Sequence, residues 1–326
     1  MKKILGLLVL ILTLNGCNDG NVKIETINFD TIDINSCGDF FYKLKSNEAL
    51  FIKIPAAANA FENKITPFNA PRTITIGTDV SLTYRAYNGT VTSANICTLP
   101  QPISPIVIEE WVATAGKIEI TTTTLLSTPD AITGATKILK YNHNIVIKNL
   151  KFLKSNGETL TYEEFPIGDY TTNATVLPFG FDPENMLKCT LTNTIYNAAD
   201  GGNQGIYIQN INPSLLSTNN LGVAKTDLIS ETVNKLAYRL FNSAITGTNS
   251  DYFCGSAFPD NPIVNEEWIA QNGITNTSGI IEVTTTTNSP SVFLHTIRLK
   301  GVTFQRNGST FYYGNDILIG ELLTTN

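Results

Sequence analysis

Apolar positions along this chain fall into short runs rich in β-branched and aromatic residues, separated by clusters of Asn, Gly, Pro and Ser. Run and turn in that rhythm read as strands, not as amphipathic helices. In the first half the runs cover residues 22–29, 40–45, 50–55, 73–77, 82–87, 118–124 and 136–153. Asn156-Gly157 and Asn307-Gly308 each stand between two such runs. Asn-Gly favours a type I′ hairpin, whose two central residues both need positive φ. Residues 151–154 are therefore expected to pair with 159–162, and 303–306 with 310–313.

The pattern occurs twice. LTYRAYN at 82–88 returns as LAYRLFN at 236–242, and PIVIEEWVA at 105–113 returns as PIVNEEWIA at 262–270. IEITTTT at 118–124 returns as IEVTTTT at 281–287, and His143 in its strand returns as His295. Phe152, Asn156-Gly157 and Tyr162 return as Phe304, Asn307-Gly308 and Tyr313. Order is kept throughout, so the chain reads as a tandem duplication of one domain, with copies at residues 22–173 and 174–326. The fold class expected is all-β: two tandem homologous β-sandwich-like domains, each with one short helix. That helix is placed in the repeated motif. Asn265 would cap it, Glu266 and Glu267 would sit in its first turn, Trp268 would face the core and Gly273 would end it. The threonine runs are read as strands with hydroxyls on both faces, such as an edge or solvated strand.

Cysteines follow the duplication. Apart from Cys17 there are two in each copy, Cys37 and Cys97 in the first, Cys189 and Cys254 in the second. In an exported chain that count implies one bridge per domain, Cys37–Cys97 and Cys189–Cys254, each closing a large loop. Four cysteines without a CxxC spacing, split over two domains, do not resemble a zinc site.

The N-terminus adds a destination. Lys2 and Lys3 precede an apolar run at 4–14, too short to span a bilayer as a mature helix, and then comes Leu14-Asn15-Gly16-Cys17. This resembles the lipobox of bacterial lipoproteins, and the low-charge, Thr- and Asn-rich β repeats behind it resemble uncharacterised envelope lipoproteins of Bacteroidota. The resemblance implies a signal peptide at 1–16, lipidation of Cys17, a tether at 17–21 and attachment to the cell envelope, at the outer membrane. A diacylated and N-acylated cysteine would hold the protein firmly in the membrane.

Charge and motifs narrow the function. Without Lys2 and Lys3, 20 basic residues face 28 acidic ones, a net of −8, which argues against nucleic acid as a partner. No GxxxxGK[ST], GxGxxG, HExxH or GxSxG occurs, and no cofactor is implied. His143 and His295 are the only histidines and read as structural. Glu109-Glu110 and Glu266-Glu267 would make a glycosidase pair only if both carboxyls met one sugar, and adjacent residues diverge. The expectation is a non-catalytic binding or surface-structural protein whose partner is a glycan or another envelope protein; a hydrolase ranks third. Tyr84, Tyr87, Tyr162, Tyr312 and Tyr313 are the candidate binding aromatics, since glycan recognition needs an exposed aromatic row.

Overall fold

The computed structural model describes residues 26–199, 201–245 and 248–325. The first copy holds β1 (Asn35–Cys37), β2 (Phe40–Lys45), β3 (Glu48–Lys53), β4 (Arg72–Thr75), β5 (Ser81–Tyr87), a short helix α1 (Ala94–Cys97), β6 (Val107–Leu126), β7 (Ile138–Lys154) and β8 (Thr159–Asn173). The second holds β9 (Met186–Lys188), β10 (Ile195–Asn197), β11 (Gln204–Gln209), β12 (Ala224–Leu228), β13 (Lys235–Phe241), α2 (Asn249–Phe253), β14 (Val264–Ala270), β15 (Ile280–Ser289), β16 (Val292–Arg306) and β17 (Ser309–Thr325). Each copy is one curled antiparallel sheet, sandwich-like in section, and the chain is all-β. Strand order is β1-β2-β3-β5-β6-β7-β8 with β4 on β6, and the second copy repeats it.

The curl comes from long strands that change neighbour. The first part of β6 pairs with β5 and its second part with β4, so one strand serves both layers. Gly116 lies at that change, where a Cβ would press on Ile76 and Ile147. In the second copy the same strand is cut into β14 and β15 by residues 271–279, which is why one sheet has eight strands and the other nine. Inward positions alternate with outward ones as strand geometry requires. In the first copy Leu50, Ile52, Leu82, Trp111, Ile118, Ile120, Ile145, Ile147 and Phe152 form the main core. The second copy builds its core from the matching positions, among them Ile206, Ile208, Leu236, Trp268, Ile281, Val283, Ile297, Leu299 and Phe304.

A smaller core lies on the opposite face of each sheet, under the helix and the bridge. Cys37–Cys97 and Cys189–Cys254 are disulfides, with Cα atoms 5.9 and 5.2 Å apart. Tyr42, Phe51, Tyr87 and Ile96 pack beside the first, and Tyr196, Tyr207, Phe241 and Phe253 beside the second.

Three expectations change. Each copy has a short helix, but it carries or precedes the second cysteine; the motif around Asn265 is strand β14, and its counterpart lies in β6. In each pair one glutamate bonds the tryptophan two residues on and the other an arginine on the neighbouring strand, and those contacts need the alternation of a strand. The run expected at 22–29 is not a strand over its described part, 26–29; there Ile27 and Phe29 pack on the core. Both hairpins form, but each lies one position away from the expected register, with Leu153 opposite Thr159 and Arg306 opposite Ser309, and their turns differ. Asn307 and Gly308 both have positive φ (49° and 83°), as type I′ requires. In the first copy only Gly157 does, and Lys154 N–H donates to Glu158 O, giving a three-residue loop closed by a glycine bulge. Residues 1–25, including Cys17, lie outside the described residues.

Candidate functional site

The repeated motif is a two-sided strand device. Tyr84 pairs with Trp111 and Arg85 with Glu110 across β5 and β6; Tyr238 pairs with Trp268 and Arg239 with Glu267 across β13 and β14. On the core side the first glutamate accepts the tryptophan N–H two residues on, Trp111 Nε1 to Glu109 at 2.6 Å and Trp268 Nε1 to Glu266 at 2.7 Å. On the other side the second glutamate holds the arginine, Arg85 to Glu110 at 2.6 Å and Arg239 to Glu267 at 2.7 Å. Arg239 is the more enclosed. Its guanidinium lies 3.7 Å from the Phe258 ring centre, and it also donates to the Tyr252 hydroxyl. The carboxyls of a pair thus face opposite ways, and no sugar could sit between them.

Each histidine is clamped between two threonines. Thr122 Oγ1 lies 2.9 Å from His143 Nδ1, and His143 Nε2 lies 2.9 Å from Thr172 Oγ1. Thr285, His295 and Thr324 repeat this at 2.8 Å on both sides. The proton positions in the first clamp follow from its surroundings. Asn63 Nδ2 donates to the Asn173 carbonyl, so Asn63 Oδ1 is the atom that accepts from the Thr172 hydroxyl. Thr172 must then accept from His143 Nε2–H, which leaves Nδ1 to accept from Thr122. Burial lowers both imidazoles to about 4, helped by the charge of Arg72 near His143 and of Lys225 and Lys188 near His295. A hydroxyl beside an imidazole is the geometry of an activated nucleophile. Here Thr122 is 1% exposed and His143 0%, so no substrate reaches the pair. One hydroxyl of each threonine run therefore points inward and is buried, so the hydroxyls lie on both faces but the run is not solvated throughout.

The candidate tyrosines do not form an exposed row. Tyr84 and Tyr87 are buried, Tyr84 donating to Glu48 at 2.5 Å. Tyr162 is half-buried against Phe152 and Phe165. Tyr313 is half-buried against Phe179 and Phe304, and Tyr312 is half-buried with its hydroxyl on Asn315.

Tyr313 instead helps to enclose a hollow between the two copies. The loop before β7 docks on β17: Thr136 N–H donates to Tyr312 O at 2.8 Å, Tyr312 N–H donates to Thr136 Oγ1 at 3.0 Å, and Asn315 N–H donates to Thr133 O at 2.7 Å. Ile138 packs on the second core. The connecting segment, residues 174–179, is apolar and folds over the same place; Phe179 stacks 4.0 Å from Tyr238. Between these parts remains a cavity of about 260 Å³. Ile138, Leu139 and Tyr141 line it from the first copy, Val176, Leu177 and Phe179 from the connection, and Glu266, Trp268, Phe311 and Tyr313 from the second copy. Among the described residues Glu266 is the only acid in the wall, with Oε2 on Trp268 and Oε1 3.5 Å from Arg306. The apolar run Leu177-Pro178-Phe179-Gly180-Phe181, where a polar linker would be usual, was the signal for this site in the sequence.

Among the described residues no cluster of three or more His, Cys, Asp or Glu could hold a metal, and no helix is long and apolar enough to cross a membrane. No protein-family model, curated protein or solved structure matches the chain.

Proposed function

We propose that this is a lipid-anchored protein of the cell envelope, at the outer membrane, which binds a small molecule in the hollow between its two copies and does not transform it. The observation that supports binding is the cavity itself: it is concave, mostly apolar, placed at a domain junction, and fitted with one acid among the described residues, Glu266. The chemistry-bearing groups of the two copies, the His–Thr clamps and Arg–Glu pairs, are occupied with one another. The lipobox-like Leu14-Asn15-Gly16-Cys17 supports the anchor.

Two measurements test this. Labelled palmitate should enter the unaltered protein, and Cys17→Ala should take up none and leave the membrane fraction; an unlabelled, membrane-bound unaltered protein would sink the anchor. Native mass spectrometry of protein released from envelopes should show one small molecule per chain, lost in Ala174→Trp, which adds bulk to the cavity wall. A bound molecule retained equally by Ala174→Trp would place binding elsewhere.

A further inference from the structure

The wall of the hollow restricts what can occupy it. Its volume is about 260 Å³. An apolar cavity of roughly 150 Å³ holds benzene, so there is room here for a fused-ring molecule and not for a long acyl chain. Tyr141, Phe179, Trp268, Phe311 and Tyr313 supply flat faces. Two of these are aromatic only in the second copy. Phe179 stands where the first copy has Ile27, as the following Phe181-Asp182 and Phe29-Asp30 align, and Phe311 stands where it has Leu160. Phe304 pairs with Phe311 as Phe152 pairs with Leu160. Both exchanges fall where the first copy closes over the second. Aromatic faces favour offset or edge contacts with other rings.

The polar groups are few, which disfavours a sugar with its many hydroxyls. Among the described residues the Glu266 carboxylate accepts only one hydrogen bond, and a carboxylate has about four acceptor positions. It calls for a donor and offers an anion no hydrogen bond. Arg306, which is not part of the wall, already balances its charge, so a cation is not required. Lys137 is in the wall but exposed.

We infer that the hollow takes a small neutral molecule built on a flat ring system that carries one hydrogen-bond donor, with its rings among the aromatic walls and its donor on the Glu266 carboxylate. This rests on the binding role proposed above and adds the class of ligand. Three bicyclic probes of similar size separate the two: 2-naphthol, which has a neutral donor, 2-methylnaphthalene, which has none, and 2-naphthoate, which is anionic. Binding is read by calorimetry and by quenching of Trp268 in Trp111→Phe, the chain having only those two tryptophans. The expected result is one 2-naphthol per chain, bound at least about tenfold more tightly than either analogue, since a hydrogen bond to a charged group has that strength. Glu266→Gln keeps an acceptor for Trp268 and should weaken 2-naphthol while leaving 2-methylnaphthalene unchanged. If the three probes bind equally, or 2-naphthoate binds best, the ligand class is wrong and the binding role stands. If none binds, or Ala174→Trp, with its circular dichroism and melting unchanged, binds as before, the cavity is not the site and both readings fall.

Discussion

His143 and Thr122 face each other on neighbouring strands, Nδ1 to Oγ1 at 2.9 Å, and neither is open to solvent. The second copy repeats the pair with His295 and Thr285. A hydroxyl that serves a buried imidazole cannot be removed without leaving a bare nitrogen acceptor. Thr122→Val keeps the shape and should cost about 1–3 kcal/mol, read from urea unfolding. Thr121→Val, on the exposed neighbour, should cost little. Equal losses at the two positions would show that the hydrogen bond contributes nothing.

The same burial makes stability depend on pH. Both imidazoles are held at about 4 in the folded chain, against an ordinary value near 6.5. As pH falls through about 6.5 the unfolded chain gains protons first. Stability should therefore be full above about 6.5, fall toward pH 4, and lose nothing further from these groups below it. Each histidine accounts for up to about 3 kcal/mol across that window. Replacing one of them with Gln should halve the slope of unfolding free energy against pH; an unchanged slope would mean the imidazoles are not held neutral.

Arg85 and Arg239 have the same partners in the two copies but not the same surroundings. Arg239 has a side chain 12% exposed and lies over Phe258; that of Arg85 is 23% exposed. Removing one member of an enclosed pair leaves the other charge unpaired. Arg239→Ala should destabilise by about 3 kcal/mol and Arg85→Ala by about 1 kcal/mol, measured by denaturant unfolding. The reverse order would contradict the burial argument.

The two hairpin glycines should also part company. Gly157 and Gly308 both have positive φ, so Ala costs about 1 kcal/mol at either. A Cβ at Gly157 meets nothing within 4 Å, while one at Gly308 meets Ile65 of the other copy at 2.8 Å. Gly308→Ala should therefore lower the melting temperature more and loosen the junction, seen as faster amide exchange at Thr136 and Asn315. Equal effects would mean that Ile65 moves aside freely.

Each disulfide joins residues 60 or 65 positions apart. Loops of that size imply about 4 kcal/mol of restraint on the unfolded chain. Cys37→Ser with Cys97→Ser should lose roughly that much in urea titration, and a loss below about 1 kcal/mol would show that the small aromatic core holds its corner without the bridge.

The glutamate pairs show where the sequence could mislead. Asn265-Glu266-Glu267 carries good helix-start chemistry, and local preference pointed to a helix. What decided for a strand lies far away in sequence: Arg239 and Tyr238 stand across from Glu267 and Trp268, and only strand alternation sends one glutamate to each face. The tyrosines misled for a related reason. Tyr84 and Tyr87 are spaced so that they fall on opposite faces, and in this fold both faces of β5 are covered, one by the main core and one by the disulfide corner.

The sequence alone determined the strand-rich class, the duplication, the cysteine pairing within each copy and the presence of both hairpins, though not their exact register. All of these depend on local pattern, on composition, or on the same residues occurring twice in order. Only the tertiary structure decided that β6 changes partners at Gly116 to serve both layers, that the histidines are clamped by threonines, and that the copies enclose a hollow. Those features depend on contacts between residues distant in the chain, such as Thr136 with Tyr312. A repeat unit cannot encode the hollow in one copy, because a junction needs two.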